Sequence, residues 1–301
     1  MRDDEFFAFA RERHQIYLDR AAGKPEPWTD DPILGTYRFT NVFRELDRTT
    51  VWFRENVRDR LSELSPYKQV LGTILFRTLN RISSGEILFT KGHICTNVPS
   101  GWSYLHDSSN VLRIGVSDME DELRGALPSG PWVTGAFIVK TPDGMDKLAG
   151  ALWIVEQARQ RLPATLAAWD TLEPSQRSLE RLHGLLSAYP YLGGFTTYEI
   201  VSDLRWMPIL SEAPDIMTWA HAGPGAKRGI NRILGRDKDA PLTQAKALMV
   251  MQDLVEAAQY VENWPHVWHK WEMREVEHTL CEWDKYERVR LGEGRPRGKF
   301  R

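Results

Sequence analysis

Apolar side chains recur every three or four residues along most of this chain, a period that fits the α-helix and does not fit a strand. The clearest case is 66–82, where Val70, Leu71, Ile74, Leu75, Thr78 and Leu79 form a stripe wide enough for a core helix. Residues 4–22 place Phe6, Phe9, Arg13, Ile16, Tyr17 and Arg20 in an amphipathic helix that Gly23-Lys24-Pro25-Glu26-Pro27 stops. The same period predicts helices over 50–63, 146–161, 175–189, 195–205 and 243–264, another opening at Gly223-Pro224-Gly225, and a last one from 272 to the Gly292-Glu293-Gly294 break. Between 84 and 145, Gly and Pro punctuate an irregular stretch with one β-like run, Trp132–Val139. The expectation is a mainly α protein whose 301 residues act as one functional unit of two helical lobes. Residues 84–145 would be an insertion or substrate-facing loop region, and 285–301 a basic tail.

Several chemistries are excluded early. The chain carries a formal net charge of −2, so any nucleic-acid binding must rest on a local patch. Such a patch exists from Lys285 to Arg301, where seven basic residues face two acidic ones. Cys95 and Cys281 are the only cysteines and show no CxxC spacing, which supports neither a zinc cluster nor a disulfide framework and fits a reducing compartment. No apolar run of about 18 residues occurs, and the start Met1-Arg2-Asp3-Asp4 is not signal-like, so a cytoplasmic protein without a membrane partner is expected. Phosphate-binding Gly-x-x-x-x-Gly-Lys-Ser/Thr, Gly-x-Ser-x-Gly and His-Glu-x-x-His patterns are absent, and no metal or cofactor is expected.

Four segments concentrate chemistry. In Tyr37–Arg48, Phe39, Val42, Phe43 and Leu46 fall at i, i+3, i+4 and i+7, predicting a helix with Thr40 as N-cap. Asn41, Arg44, Glu45 and Arg48 then share a neighbouring face, where paired guanidiniums suit a phosphorylated ligand and a solvated ion-pair network is the plainer alternative. Gly223-Pro224-Gly225 turns into a helix carrying Lys227, Arg228 and Arg232, an arrangement fit to hold a backbone phosphate or simply to cap a helix. Glu199 and Asp203 lie at i and i+4 after a Gly-Gly turn; two close carboxylates raise one proton affinity and offer a general base, with Mg²⁺ binding or pairing to Arg205 as alternatives. Finally His278, Cys281, Glu282 and Lys285 share one face of the last helix, where the lone Cys reads more readily as a buried thiol than as a nucleophile.

Tyr37–Arg48, Gly223–Ile233 and Glu277–Arg297 together resemble the α-glutamyl/putrescinyl thymine pyrophosphorylases of bacteriophage thymine hypermodification. These are also described as amino acid:DNA transferases, and the related helical domain attached to 5-hydroxymethyluracil DNA kinases is similar too. The phrases Tyr37-Arg38-Phe39-Thr40-Asn41-Val42 and Glu277-His278-Thr279-Leu280-Cys281-Glu282 carry the resemblance most specifically. It implies a helix-hairpin-helix, DNA-glycosylase-like architecture, although the short hairpin departs from base-excision enzymes and argues against plain N-glycosidic cleavage. The missing phosphate-binding loop argues against a kinase acting alone. The implied reaction joins the amine of an amino acid to pyrophosphorylated 5-hydroxymethyluracil in double-stranded DNA, displacing pyrophosphate, with no cofactor, in the host cytoplasm if the chain is phage-encoded. In that reading Arg38, Arg44, Arg48, His278 and Lys285 hold the leaving group and Asn41 reads the uracil edge. Asp203 is the first candidate base, with Glu45 and Glu282 behind it. Gly223, Gly225, Lys227, Arg228 and Arg232 grip the DNA backbone, and Trp102, Tyr198 or Trp219 stack on the base. A helical module serving a kinase of the same pathway, or a modified-base glycosylase, are the alternatives.

Overall fold

A computed structural model describes residues 2–91, 99–105, 115–135, 140–296 and 298–299. The protein is mainly helical. Its helices are, in order, α1 (Asp3–Ala21), α2 (Pro32–Thr36), α3 (Arg48–Phe53), α4 (Asp59–Ser62), α5 (Pro66–Leu79), α6 (Ile82–Gly85) and α7 (Ser100–Leu105). Then come α8 (Val116–Ala126), α9 (Lys147–Asp170), α10 (Leu179–Ser187), α11 (Gly194–Leu204), α12 (Pro224–Ile233), α13 (Gln244–Ala257) and α14 (Met273–Arg290). No strand occurs among the described residues; Tyr37 and Lys299 form one isolated antiparallel bridge. Two compact units emerge, one from Met1–Asp47 with Ile216–Arg301, the other from Arg48–Asp215.

The first unit is built on α14. Asp3, Asp4 and Glu5 place negative charge at the positive end of α1, whose Phe6 and Phe9 rings meet Trp283 at 6.4 and 5.6 Å. Asp31 caps α2 by accepting from Ile33 and Leu34 N–H at 2.8 and 2.9 Å, and Tyr286 of α14 donates to its other oxygen at 2.6 Å. On α12, Gly225 and Gly229 face α14 four residues apart. A Cβ on Gly229 would stand 2.3 Å from the Leu280 carbonyl oxygen, and one on Gly225 2.3 Å from Cys281 Sγ. These glycines set how closely the two helices approach.

The helix expected over Tyr37–Arg48 does not form. Tyr37 is extended, Arg44–Leu46 make a single 3₁₀ turn, and the next helix opens only at Arg48. The reason lies in the backbone N–H groups, which a helix would have bonded to carbonyls four residues back. Arg38 N–H goes to the Gly298 carbonyl at 3.0 Å, Thr40 N–H to Glu282 at 2.9 Å and Asn41 N–H to Asp47 at 2.9 Å. The apolar residues are nonetheless largely buried, since Phe39, Val42 and Phe43 are all in the core. The C-terminal basic stretch also departs from a loose tail: Lys285–Arg290 complete α14, and the chain beyond returns to pair with Tyr37 and Arg38.

The second unit centres on α5, whose expected stripe from Val70 to Leu79 is buried and packs on α9 and α11. Helices α7 and α8 occupy parts of the stretch expected to be irregular. Trp132–Gly135 form no strand, and residues 136–139 of the β-like run lie outside the described residues. Asp203 is fully buried on α11, and Arg77 of α5 binds both its oxygens while also donating to Asn80 and Thr50. The candidate base is therefore one half of a buried, forked ion pair, a structural assignment that removes it from proton transfer. Trp102, Tyr198 and Trp219 are each buried and present no open ring face for a base.

Candidate functional site

Helix α14 opens on a capping pair, with the Glu275 carboxylate accepting from Glu272 N–H at 3.1 Å. Its regular turns then align His278, Glu282 and Lys285 on one face, as their spacing predicts. All three reach the segment 39–47. His278 Nε2 lies 2.8 Å from Thr40 Oγ1 and 3.8 Å from Asp47 Oδ2. Glu282 Oε2 accepts from Thr40 N–H and from Lys285 Nζ, each at 2.9 Å. The Lys285 ammonium also stands 4.7 Å from the Phe39 ring centroid, a cation–π placement.

Helix α1 contributes Arg13, whose Nη2 donates to Asn41 Oδ1 at 2.6 Å and to the Phe39 carbonyl at 3.2 Å. Asn41 Nδ2 in turn donates to the Leu46 carbonyl at 2.7 Å. Both ends of the Asn41 amide are thus engaged, one by Arg13 of α1 and the other by the Leu46 carbonyl, so it acts as a brace and is poorly placed to read a uracil edge. The carboxylates differ in character. Burial pushes Asp47 up, and His278, the Asn41 N–H, Arg44 and Arg13 offset this only in part. Burial also pushes Glu282 up, but Lys285, His278 and the Thr40 N–H outweigh it and hold the group below its ordinary range. The surroundings thus shift the two carboxyls in opposite directions, Asp47 towards its protonated form and Glu282 towards its charged form. Cys281 is raised by burial and by Glu282, Glu277 and Asp284, which leaves an inert thiol.

Other candidates are placed elsewhere. Glu45 accepts from Arg274 Nη1 at 3.2 Å, and the same guanidinium bonds Glu275 at 3.1 Å, so Glu45 belongs to an ion-pair network. Arg44 is buried, Arg38 is exposed beside the site, and Arg48 is exposed at the start of α3 in the second unit. Asn41, Arg44, Glu45 and Arg48 therefore do not share a helical face. The hairpin reading is corrected as well. Gly223 N–H donates to the Glu277 carboxylate at 3.1 Å, so the helix start already faces an anion of its own chain. Arg228 and Arg232 each donate to Asp284 at 2.9 Å, and Arg232 also bonds Glu293. Gly225 packs on Cys281, leaving half-exposed Lys227 as the hairpin cation with no carboxylate partner among the described residues.

Arg13, Thr40 and Asp47 belong to the site and were not assigned to it by sequence pattern. Arg13 carried a signal, being a guanidinium on the apolar stripe of α1; Thr40 and Asp47 carried none that survives without the fold. A cleft of about 420 Å³ in the second unit includes Gln69, Trp169, Asp170 and Arg177 in its wall. The Gln69 amide there bonds the Leu64 carbonyl and Ile209 N–H, and Arg177 bonds the carbonyls of Leu172 and Asp170, so no reactive constellation converges. No group of metal-binding side chains and no helix long and apolar enough to cross a membrane occurs among the described residues.

The family model for the helical domain of 5-hmdU DNA kinase matches residues 2–295. Among curated proteins, the 5-hmdU DNA kinase of Bacillus phage SP10 is 28% identical over 247 residues, covering 76% of this chain and 36% of that protein. The chain therefore spans about a third of the length of this curated relative. No solved structure matches.

Proposed function

This chain belongs to the family of 5-hmdU DNA kinase helical domains, and from that premise we propose that it acts on 5-hydroxymethyluracil in double-stranded phage DNA as an amino acid:DNA transferase. In this reading the whole chain is one functional unit with a glycosylase-like architecture, working in the host cytoplasm beside a kinase of the same pathway. The substrate base carries a pyrophosphate ester on its exocyclic methylene. An amino-acid nitrogen attacks that carbon, the C–N bond forms, the C–O bond breaks, and the electron pair leaves with pyrophosphate. The observation that supports it is the single cluster in which α14 and the segment 39–47 combine an imidazole, two carboxylates of opposite tendency and a lysine. His278, backed by Asp47, takes the amine proton; Glu282 stays charged and fixes Lys285 and the Thr40 backbone; Lys285 and Arg38 receive the departing oxygens. Lys227 supplies a backbone phosphate contact.

A second reading, a helical DNA-binding module that serves a kinase, is favoured by the chain's matching only 36% of the phage kinase. Incubating the protein with duplex DNA bearing pyrophosphorylated 5-hydroxymethyluracil and a pool of amino acids, followed by nucleoside mass spectrometry, separates the readings. A nucleoside heavier by one amino acid supports transfer. Bound but unaltered DNA sinks it in favour of the module, and abasic sites point to a glycosylase.

A further inference from the structure

The cleft of the second unit brings no reacting groups together, yet its walls are fixed and its polar atoms are incompletely used. Its volume of about 420 Å³ falls in the range of small-molecule sites. Pro66, Pro174 and Pro208 stand exposed on its wall, where their fixed backbone angles hold its shape before anything binds. The Gln69 amide straps Leu64 to Ile209, and Arg177 ties down the carbonyls of Leu172 and Asp170. Trp169 lines this space and is only 2% exposed. Trp102 and Trp264 donate their indole N–H to carbonyls, and those of Trp271 and Trp283 are sealed from solvent. The Trp169 N–H does neither: it meets no acceptor among the described residues and is not sealed, so it opens on the cleft. Charges without ion pairs stand around it. The Asp170 and Glu212 carboxylates are exposed and meet no partner among the described residues. Arg177 is half-buried, with Nε and Nη2 on carbonyls and Nη1 without a described acceptor.

Two acids against one base suit this cleft poorly to a phosphodiester strand, which like charge repels. Idle donors beside idle carboxylates instead fit a small zwitterion, and the apolar wall at Leu64, Ile209 and Ala213 fits a hydrocarbon body. We propose that the cleft binds a free α-amino acid with an apolar side chain. Its carboxylate accepts from the Trp169 N–H and Arg177 Nη1, its ammonium faces Asp170 and Glu212, and its side chain lies against Leu64 and Ile209. The inference shares with the transferase reading only the class of ligand. Every residue it uses lies within Arg48–Asp215, and binding there requires neither DNA nor turnover.

The test is calorimetric titration of the full chain with L-phenylalanine, beside phenethylamine, which lacks the carboxylate, and hydrocinnamate, which lacks the ammonium. Wild type is expected to bind the amino acid saturably, and each analogue at least roughly tenfold more weakly, the worth of a hydrogen bond to a charged group. W169F keeps an aromatic ring but loses the N–H, and should weaken L-phenylalanine binding about tenfold. The double variant D170N/E212Q should weaken it by at least as much. Wild type that fails to bind the amino acid overturns the proposal, as does either analogue bound as tightly as the amino acid. Unchanged affinity in W169F overturns it too. If W169F does not fold, D170N/E212Q, altered only at exposed positions, carries the test, and wild-type affinity in that variant overturns it. Affinity lost in H278A but kept in W169F places the amino acid at α14 and likewise overturns it. Binding that depends on Trp169 would stand even if no amino acid is transferred to DNA. Conversely, transfer by W169F with amino-acid affinity undiminished would remove this site and leave the transferase reading in place.

Discussion

At the residue scale the carboxylates of this molecule differ in what they hold and in how their surroundings shift them, and burial by itself does not distinguish them. Asp203 has both oxygens bound by Arg77 inside the second unit, so D203A strands a buried guanidinium and is expected to cost roughly 3–5 kcal/mol in denaturant unfolding. The double variant R77M/D203A should recover much of that loss; full stability of D203A alone would argue against the pairing. Asp47 and Glu282 respond to pH with opposite sign. Asp47 is raised in the folded state, so its contribution is fully present below its unfolded value and is lost as pH rises through the folded one. D47N, which keeps an acceptor for the Asn41 N–H, should therefore gain stability relative to wild type at neutral pH, with the gain disappearing in acid. Glu282 is lowered, so its contribution is present above the unfolded value and is lost as pH falls through the folded one. E282Q should lose stability at neutral pH and converge on wild type in acid. Melting temperatures across pH 3–8 check both, and parallel pH profiles for the two variants would contradict the contrast.

At the scale of elements, α12 and α14 show why glycine spacing carries more than one meaning. Gly229 meets the Leu280 carbonyl oxygen, which cannot rotate away, so G229A forces the helices apart at about 1–3 kcal/mol, more than the helix-propensity gain of about 1 kcal/mol returns. Gly184 in α10 has no neighbour within 4 Å of a Cβ, and G184A should be neutral or stabilising. Equal unfolding midpoints for the two variants would dismiss the close contact. The same pair of helices marks how far sequence reading reaches. Stripes such as Val70–Leu79 and the face His278-Glu282-Lys285 are properties of one helix and were legible from spacing. The conformation of Tyr37–Asp47 was not, because its Thr40 N–H is claimed by Glu282, 242 residues further on. A local period of three and four placed Phe39, Val42 and Phe43 in the core correctly, but the hydrogen bonds that would have made them helical had distant competitors. The arginines of α12 misled for a similar reason: the carboxylate that pairs with both, Asp284, lies on α14 and meets them only once the two helices pack.

At the scale of the whole molecule, the chain leaves its first unit at Asp47 and returns to it at Ile216, so Arg48–Asp215 is one continuous piece with its own core. The α5 stripe is covered by α9 and α11, and the Arg77–Asp203 pair closes within the same piece. A fragment spanning residues 48–215 is therefore expected to fold alone, with helical circular dichroism and a cooperative melt. Its last residue matters to that outcome. The Asp215 carboxylate accepts from Leu179 N–H at 2.8 Å and from Glu180 N–H at 2.9 Å, satisfying two donors that the first turn of α10 leaves unpaired. A fragment ending at residue 214 keeps every apolar contact of α5 but leaves those donors to solvent. It should be less stable than the 48–215 fragment by about 0.5–2 kcal/mol, the usual worth of a helix cap. Equal midpoints would show that the end of the second unit lies short of Asp215, whereas a non-cooperative melt of both fragments would show that this unit requires the first to fold.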